Sequence, residues 1–262
     1  NGFMANLLNE NGENPGIAFQ IYHSQTQLIS EALIELKTSC DSDDIDHVCD
    51  LIDLLTLSLL FLTFPIYRQN RAGTLSQLPP TMNQSYTQVI TETIQIAQFG
   101  YQIVNRLTYI EHQKPDLYGV NLDISQLEQS ISNLFIPLFA YASPFLTQEM
   151  IAQMNETFKL QPMELPENSE KPAELFTSQI VFAYWTHFLQ LFPAATNQMA
   201  AEIIQSIFQI LQPSTFASQS HSQAIITITS LVIGLNTQTA FNQNTTGIPA
   251  LIPTVLEFLN AY

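Results

Sequence analysis

Residues 43–64 read DDIDHVCDLIDLLTLSLLFLTF, and this stretch decides the fold class. Apolar residues recur along it at alternating spacings of three and four, which places them on one side of an α-helix. The members of this row are Ile45, Val48, Ile52, Leu55, Leu59 and Leu62. Because the last three turns are apolar almost all round, the pattern predicts a central helix that ends at Pro65.

Helical spacing continues on both sides of this stretch, whereas glycine is scarce and alternating strand patterns are hard to find. In the helix before it, Ile21, Leu28 and Leu36 are predicted to share an apolar stripe with Ile29 and Leu33. The predicted helices before residue 161 cover about 15–39, 43–64, 83–112, 123–141 and 147–160.

Single residues refine these helices. Gly100 predicts a close helix crossing, and Pro137 predicts a kink in the fourth helix. Thr147 is predicted to cap the fifth helix, because its side chain can accept a bond from a free backbone N–H.

Residues 161–174 read QPMELPENSEKPAE, and their three prolines and four glutamates predict a linker. It separates an N-terminal helical region over 15–160, preceded by a loose lead-in over 1–14, from a C-terminal helical region over 175–262. We expect the second region to pack on the first as one continuous unit. Its four predicted helices cover about 173–192, 195–211, 216–235 and 248–261.

The chain is therefore predicted to be all-α, with about nine antiparallel helices. Two consecutive helices of the C-terminal region occupy about 43 residues, which falls within the ~40–47 of HEAT or armadillo pairs. No residue signature repeats at that period, and any bundle with short loops produces similar spacing. An α-solenoid and a multi-helix bundle are both compatible with the pattern.

The charge balance limits the partners. Seven basic residues and a net charge of −16 argue against nucleic acid and anionic membrane surfaces, which require clustered Lys and Arg. The charge is compatible with a protein partner that has a basic segment, or with a neutral ligand. No transmembrane span is predicted, because the apolar run Leu54–Phe64 is shorter than the ~20 residues that a span needs.

The acidic start of the stretch offers candidate metal ligands in Asp43, Asp46, His47 and Asp50. Their spacing on a helix can present two or three ligands to Mg²⁺, Mn²⁺ or Zn²⁺. Alternatively, aspartates at a helix N-terminus satisfy free N–H groups and complement the helix dipole. The apolar row turns Asp46, Asp50 and Asp53 toward solvent, which favours this second interpretation, so no metal or cofactor is predicted.

Cys40 and Cys49, the only cysteines, lie on either side of the predicted turn between the first two helices. Such a turn can bring their Cα atoms within the roughly 4.4–6.8 Å of a disulfide. A bond there would stabilise the fold by about 2–3 kcal/mol and indicate a secreted or periplasmic protein. Two reduced, half-buried thiols are the alternative.

Aromatic residues concentrate in the predicted helix 173–192, where one face carries Phe182, Trp185, Leu189 and Phe192 with Phe188 beside it. Burial between two layers of helices is one interpretation. The other is an apolar groove or pocket for a partner helix or an apolar ligand.

The sequence contains no GxGxxG, Walker A, HExxH, GxSxG or CxxC motif, and no two histidines are three or four residues apart. It therefore predicts a non-enzymatic helical binding or scaffold protein, which engages a partner protein through a groove or an apolar helix face. The alternative is a carrier or sensor of a small apolar ligand of lipid or isoprenoid type. A metal-dependent enzyme that uses the acidic helix 43–53 ranks third.

Overall fold

The computed structural model describes residues 16–39, 42–113, 124–159 and 178–191. These residues are 90% helical and include no strand, so the prediction of an all-α protein is confirmed. The linker 161–174 and the three helices predicted after residue 194 lie outside the described residues. The number of helices and the choice between solenoid and bundle therefore stay predictions.

The chain divides into two compact units, Asn1–Phe158 and Lys159–Tyr262, called unit 1 and unit 2 below. Short 3-10 turns occur at Leu75–Gln77 and Ser143–Phe145. The helices of unit 1 are α1 (Ile17–Ser39), α2 (Ser42–Arg71), α3 (Pro80–Gln113), α4 (Ile124–Asn133), α5 (Phe135–Ala140) and α6 (Gln148–Thr157). The described helix of unit 2 is α7 (Gln179–Leu191).

In unit 1, α1 and α4 each pack against both α2 and α3. Residues 40–41 alone connect α1 to α2, and two contacting helices with so short a connection run antiparallel. The small helix α5 packs on α2 and α4, while α6 packs on α3.

The apolar row predicted for α2 forms its buried side. All six members are 0–1% exposed, and Ile66 extends the row by another turn. We call these seven residues the inner row. Their spacing of three and four is the one that lets a helix pack along a neighbour over its whole length.

The predicted end of α2 at Pro65 is wrong, because the helix continues to Arg71. An interior proline costs about 3 kcal/mol, since it removes one backbone bond and crowds the carbonyl four residues earlier. Packing after the proline offsets this cost. Ile66 is buried, and the Tyr67 ring lies 5.2 Å from that of Tyr141.

Two further expectations about burial need correction. The apolar residues on every side of α2 predicted a helix that is buried all round, but Leu54, Leu57, Phe61 and Phe64 are exposed. In α1, Ile29, Leu33 and Leu36 are buried as expected, but Ile21 and Leu28 are exposed. Contacts with α3 decide how α1 is rotated. The buried Phe19 packs edge-on against Tyr86 at 5.2 Å, and Tyr22 bonds to Thr93. These residues, rather than Ile21 and Leu28, complete the buried side.

The N-cap prediction is confirmed, since the Thr147 side chain accepts a bond from the Met150 N–H at 3.2 Å. The break in the predicted fourth helix lies one turn before Pro137 rather than at Pro137 itself. The helix α4 ends at Asn133, the residue whose carbonyl the proline ring would crowd, and α5 begins at Phe135.

The close crossing predicted at Gly100 is confirmed. A Cβ atom added to Gly100 would lie 2.6 Å from Cδ1 and 3.1 Å from Cγ1 of Ile131, which is on α4. A hydrogen at this position therefore lets α3 and α4 approach each other.

We expect Gly100→Ala to lower the free energy of unfolding by about 1 kcal/mol. Overpacking costs about 1–3 kcal/mol, and the better helix propensity of alanine returns about 1 kcal/mol. In an Ile131→Val background the 2.6 Å contact is absent, so the same change should be neutral or stabilising. Urea unfolding of the four chains measures this double-mutant cycle. An equal effect in both backgrounds would contradict the crossing.

A buried hydrogen bond joins α1 to α3. The Thr93 hydroxyl donates to the Val89 carbonyl at 2.7 Å, so the Tyr22 hydroxyl must donate to Thr93 Oγ1, 2.6 Å away. Burial raises the pKa of Tyr22, and the nearby Glu92 carboxylate adds to the rise.

The Tyr22→Phe variant should be less stable by about 1 kcal/mol at neutral pH, the net contribution of a typical buried bond. The difference should shrink above pH 10, the ordinary pKa of tyrosine. There the unfolded phenol ionises while the folded one keeps its proton, so wild-type stability falls as pH rises. Urea midpoints at about pH 8 and pH 11 measure both effects. A stability difference that is the same at both pH values would show that Tyr22 ionises alike in the folded and unfolded chains, which would contradict its burial.

Candidate functional site

The side of α2 opposite the inner row carries a second row with the same spacing of three and four. Every member is exposed. We call it the outer row, and it consists of Asp43, His47, Asp50, Leu54, Leu57, Phe61, Phe64, Arg68 and Arg71.

The outer row changes character along the helix, from acidic through apolar to basic. Its apolar centre consists of Leu54, Leu57, Phe61 and Phe64, which are 43–63% exposed. Scattered surface leucines are ordinary, but a contiguous apolar patch rimmed by charge marks an interaction surface. The sequence contained this signal as a second row of apolar residues within α2. We missed it because an all-round apolar helix suggested burial on every side.

The charged ends of the outer row match the helix dipole. Asp43 lies in the first turn, and Arg68 and Arg71 lie in the last. Arg71 Nη1 donates to the Tyr67 hydroxyl at 3.2 Å, and its guanidinium lies 5.8 Å from the centre of the Tyr67 ring. These contacts hold the Arg71 side chain in place.

The four candidate metal ligands, Asp43, Asp46, His47 and Asp50, are all exposed on the first turns of α2. No group of three or more His, Cys, Asp and Glu within the described part of the chain could hold a metal ion. As expected, Asp46, Asp50 and Asp53 point to solvent.

The disulfide stays a prediction. Cys49 is buried beside the inner row, whereas Cys40 lies outside the described residues. The compartment that depends on this bond is equally a prediction.

In α7, Phe182, Trp185 and Phe188 are buried. The rings of Trp185 and Phe188 meet edge-on at 5.3 Å, and Tyr184 contacts both of them, at 5.4 Å and 5.9 Å. The Leu189 side chain and Phe192 lie outside the described part. Burial of three members suits a helix that is packed on several sides, and the predicted pocket stays untested.

A cleft that the sequence did not predict lies between α1 and α3. It has a volume of about 560 Å³, and its walls include His23, Gln27, Ile34, Glu92 and Phe99. His23 Nδ1 lies 2.7 Å from Glu92 Oε1, which also accepts a bond from the Gln88 amide at 2.9 Å. No sequence pattern could have paired His23 with Glu92, because 69 residues separate them.

The contacts of His23 define what this cleft can do. A neutral ring with its proton on Nδ1 donates to Glu92, and its Nε2 accepts from the Gln27 amide 3.1 Å away. Both ring nitrogens are therefore occupied. The Ser30 hydroxyl of the cleft donates to the Thr26 carbonyl at 2.8 Å, so it is committed as well. The arrangement joins α1 to α3 rather than preparing a nucleophile.

By length and composition, α2 would be able to cross a membrane. Within Asp43–Arg71 an 18-residue window has a mean hydropathy of 1.8, and 39% of that window is buried in the protein. The core helix of a folded domain meets the same criteria, so this finding leaves the prediction about membrane spans untested.

No known protein family, curated protein or solved structure matches this chain. The functional argument therefore rests on the described residues alone.

Stability of unit 2 should fall on acidification through His187, whose pKa is lowered by burial. Below the ordinary histidine pKa of 6.5, this histidine binds a proton in the unfolded chain more readily than in the folded chain. The free energy of unfolding therefore decreases as the pH falls below that value. Fluorescence of Trp185, the only tryptophan, reports the unfolding locally.

We expect the urea midpoint of this signal to decrease between about pH 7.5 and pH 5, and to decrease less in His187→Gln. The matched control is His47→Gln, which changes an exposed histidine on α2. Identical slopes in the two variants would rule out His187 as the cause.

Proposed function

We propose that this chain is a non-enzymatic helical binding protein, and that it engages another polypeptide through the outer row of α2. The supporting observation is the exposed apolar centre of Leu54, Leu57, Phe61 and Phe64, flanked by charge at both ends. A helix that lies along this centre would cover all four side chains.

The expected energetics favour such a partner. Fully burying a Leu or Phe side chain stabilises by about 1.5–3 kcal/mol, and these four already have about half of that surface covered. Completing their burial therefore offers several kcal/mol before the cost of association is subtracted. A protein interface usually has apolar anchor residues at its centre and charged residues at its rim.

The charges suggest how a partner would be oriented. A basic segment suits the acidic end of the row, where Asp46, Asp50 and Asp53 are all exposed. An acidic segment suits the opposite end at Arg68 and Arg71. Such end charges steer and orient a partner more than they strengthen its binding.

In unit 1, α1 and α4 each pack on both α2 and α3. A closed bundle of four helices makes these contacts. Two stacked helix pairs of a solenoid make them as well, because α1 then meets α3 and α2 meets α4 where the pairs stack. In either architecture the side of α2 opposite the inner row is exposed, so the proposed binding surface does not depend on the choice between them.

A photo-crosslinking amino acid placed at Leu57 tests the proposed function. In the cells that make the protein, we expect a crosslink to a polypeptide from position 57 and none from position 28. Leu28 is the matched control, because it is a leucine of similar exposure on α1, 54% against 63%. Equal crosslinking from both positions, or none from position 57, would overturn the proposal.

A further inference from the structure

The outer row is complementary to itself when its direction is reversed. Turning α2 end over end about position 59 places Asp50 against the basic Arg68 and each apolar residue of the row against another. The pairs are Asp50 with Arg68, Leu54 with Phe64, and Leu57 with Phe61.

We propose that the occupant of this surface is a second copy of this chain, with its α2 helix antiparallel to the first. The proposal rests on the function proposed above and names the partner. In a two-fold dimer the same patch serves both subunits, so residue i meets residue j and j meets i. A row that pairs with its own reverse is what such an interface requires.

The spacing of the row also suits helix packing. Apolar residues at alternating spacings of three and four form the contact line of two long helices that cross at about 20°. The inner row already uses the opposite side of α2, so a second copy would contact the helix without disturbing its core contacts.

Charge decides the direction of the pair. A parallel pair would set Asp50 against Asp50 and Arg68 against Arg68, whereas the antiparallel pair sets each against its opposite. Two chains of net charge −16 repel each other at long range, which opposes dimer formation. Local pairs of opposite charge at the interface offset part of this repulsion. One pair further out, His47 lies opposite Arg71.

A lipid bilayer is the other environment that would cover an apolar helix face. Insertion of α2 would bring Asp50 and Asp53 toward the hydrocarbon, where carboxylates are strongly disfavoured. It would also separate the inner row from α1 and α4. A second copy requires neither change, so the observations favour it.

Sedimentation velocity of the purified chain tests the proposal. We expect a concentration-dependent dimer in wild type, and Leu57→Glu should weaken it about 100-fold or more, because a carboxylate would be buried at the centre of the interface. The control Leu28→Glu introduces the same charge at a similarly exposed leucine of α1 and should leave the dimer intact. Circular dichroism and thermal melting establish that both variants fold.

Charge exchange tests the direction. Asp50→Arg alone and Arg68→Asp alone should each weaken the dimer about tenfold, since each puts like charges together twice per dimer. The double variant restores both pairs and should recover wild-type affinity. Single variants that bind like wild type, or a double variant that stays weak, would overturn the antiparallel arrangement.

Other outcomes separate this inference from the proposed function. A dimer that survives Leu57→Glu uses another surface, and the inference fails. A monomeric chain whose position 57 crosslinks to a different polypeptide overturns the second copy and leaves the proposed function standing. A monomer that floats with phosphatidylcholine vesicles unless Leu57 is changed to Glu overturns both in favour of a membrane. A monomer without any crosslink from position 57 also overturns both.

Discussion

Burial of the inner row of α2 is the interaction on which the rest of unit 1 depends. Its seven residues, from Ile45 to Ile66, are almost completely inaccessible, and α1 and α4 pack on the helix that carries them. Those two helices also pack on α3, so the position of α2 is linked to every long helix of the unit. The same burial fixes the rotation of α2 about its axis. Because the outer row lies on the opposite side, its exposure is a direct consequence of the packing within.

Uncharged polar groups make further connections between helices. Tyr22 bonds to Thr93 between α1 and α3, and the Gln98 amide donates to the Thr157 hydroxyl between α3 and α6 at 2.9 Å. Such bonds hold helices together without the desolvation cost of buried ions. They agree with a chain in which only 11% of residues are charged. Against this neutral background, the sorting of acidic and basic residues to opposite ends of α2 is the most informative distribution of charge in the described residues.

Pro65 and Pro137 show how local and tertiary forces compete. Pro137 acts as its chemistry requires, and α4 ends four residues before it. Pro65 has the same local chemistry, yet α2 continues past it because Ile66 is buried and Tyr67 packs against Tyr141. A proline rule applied to sequence cannot distinguish these cases, because the compensating contacts come from α5 and the residues that follow it. The continuation matters for function, since it adds Arg68 and Arg71 to the outer row.

The sequence by itself determined the helical class, the inner row of α2, the cap at Thr147 and the close crossing at Gly100. Each of these follows from residue spacing or from the local chemistry of a single residue. Only the tertiary structure decided that α1 buries Phe19 and Tyr22 instead of Ile21 and Leu28, that His23 meets Glu92, and that the apolar outer row of α2 is exposed. The reason is physical. Helical periodicity shows which residues share a face, but whether another helix covers that face depends on residues far away in the chain.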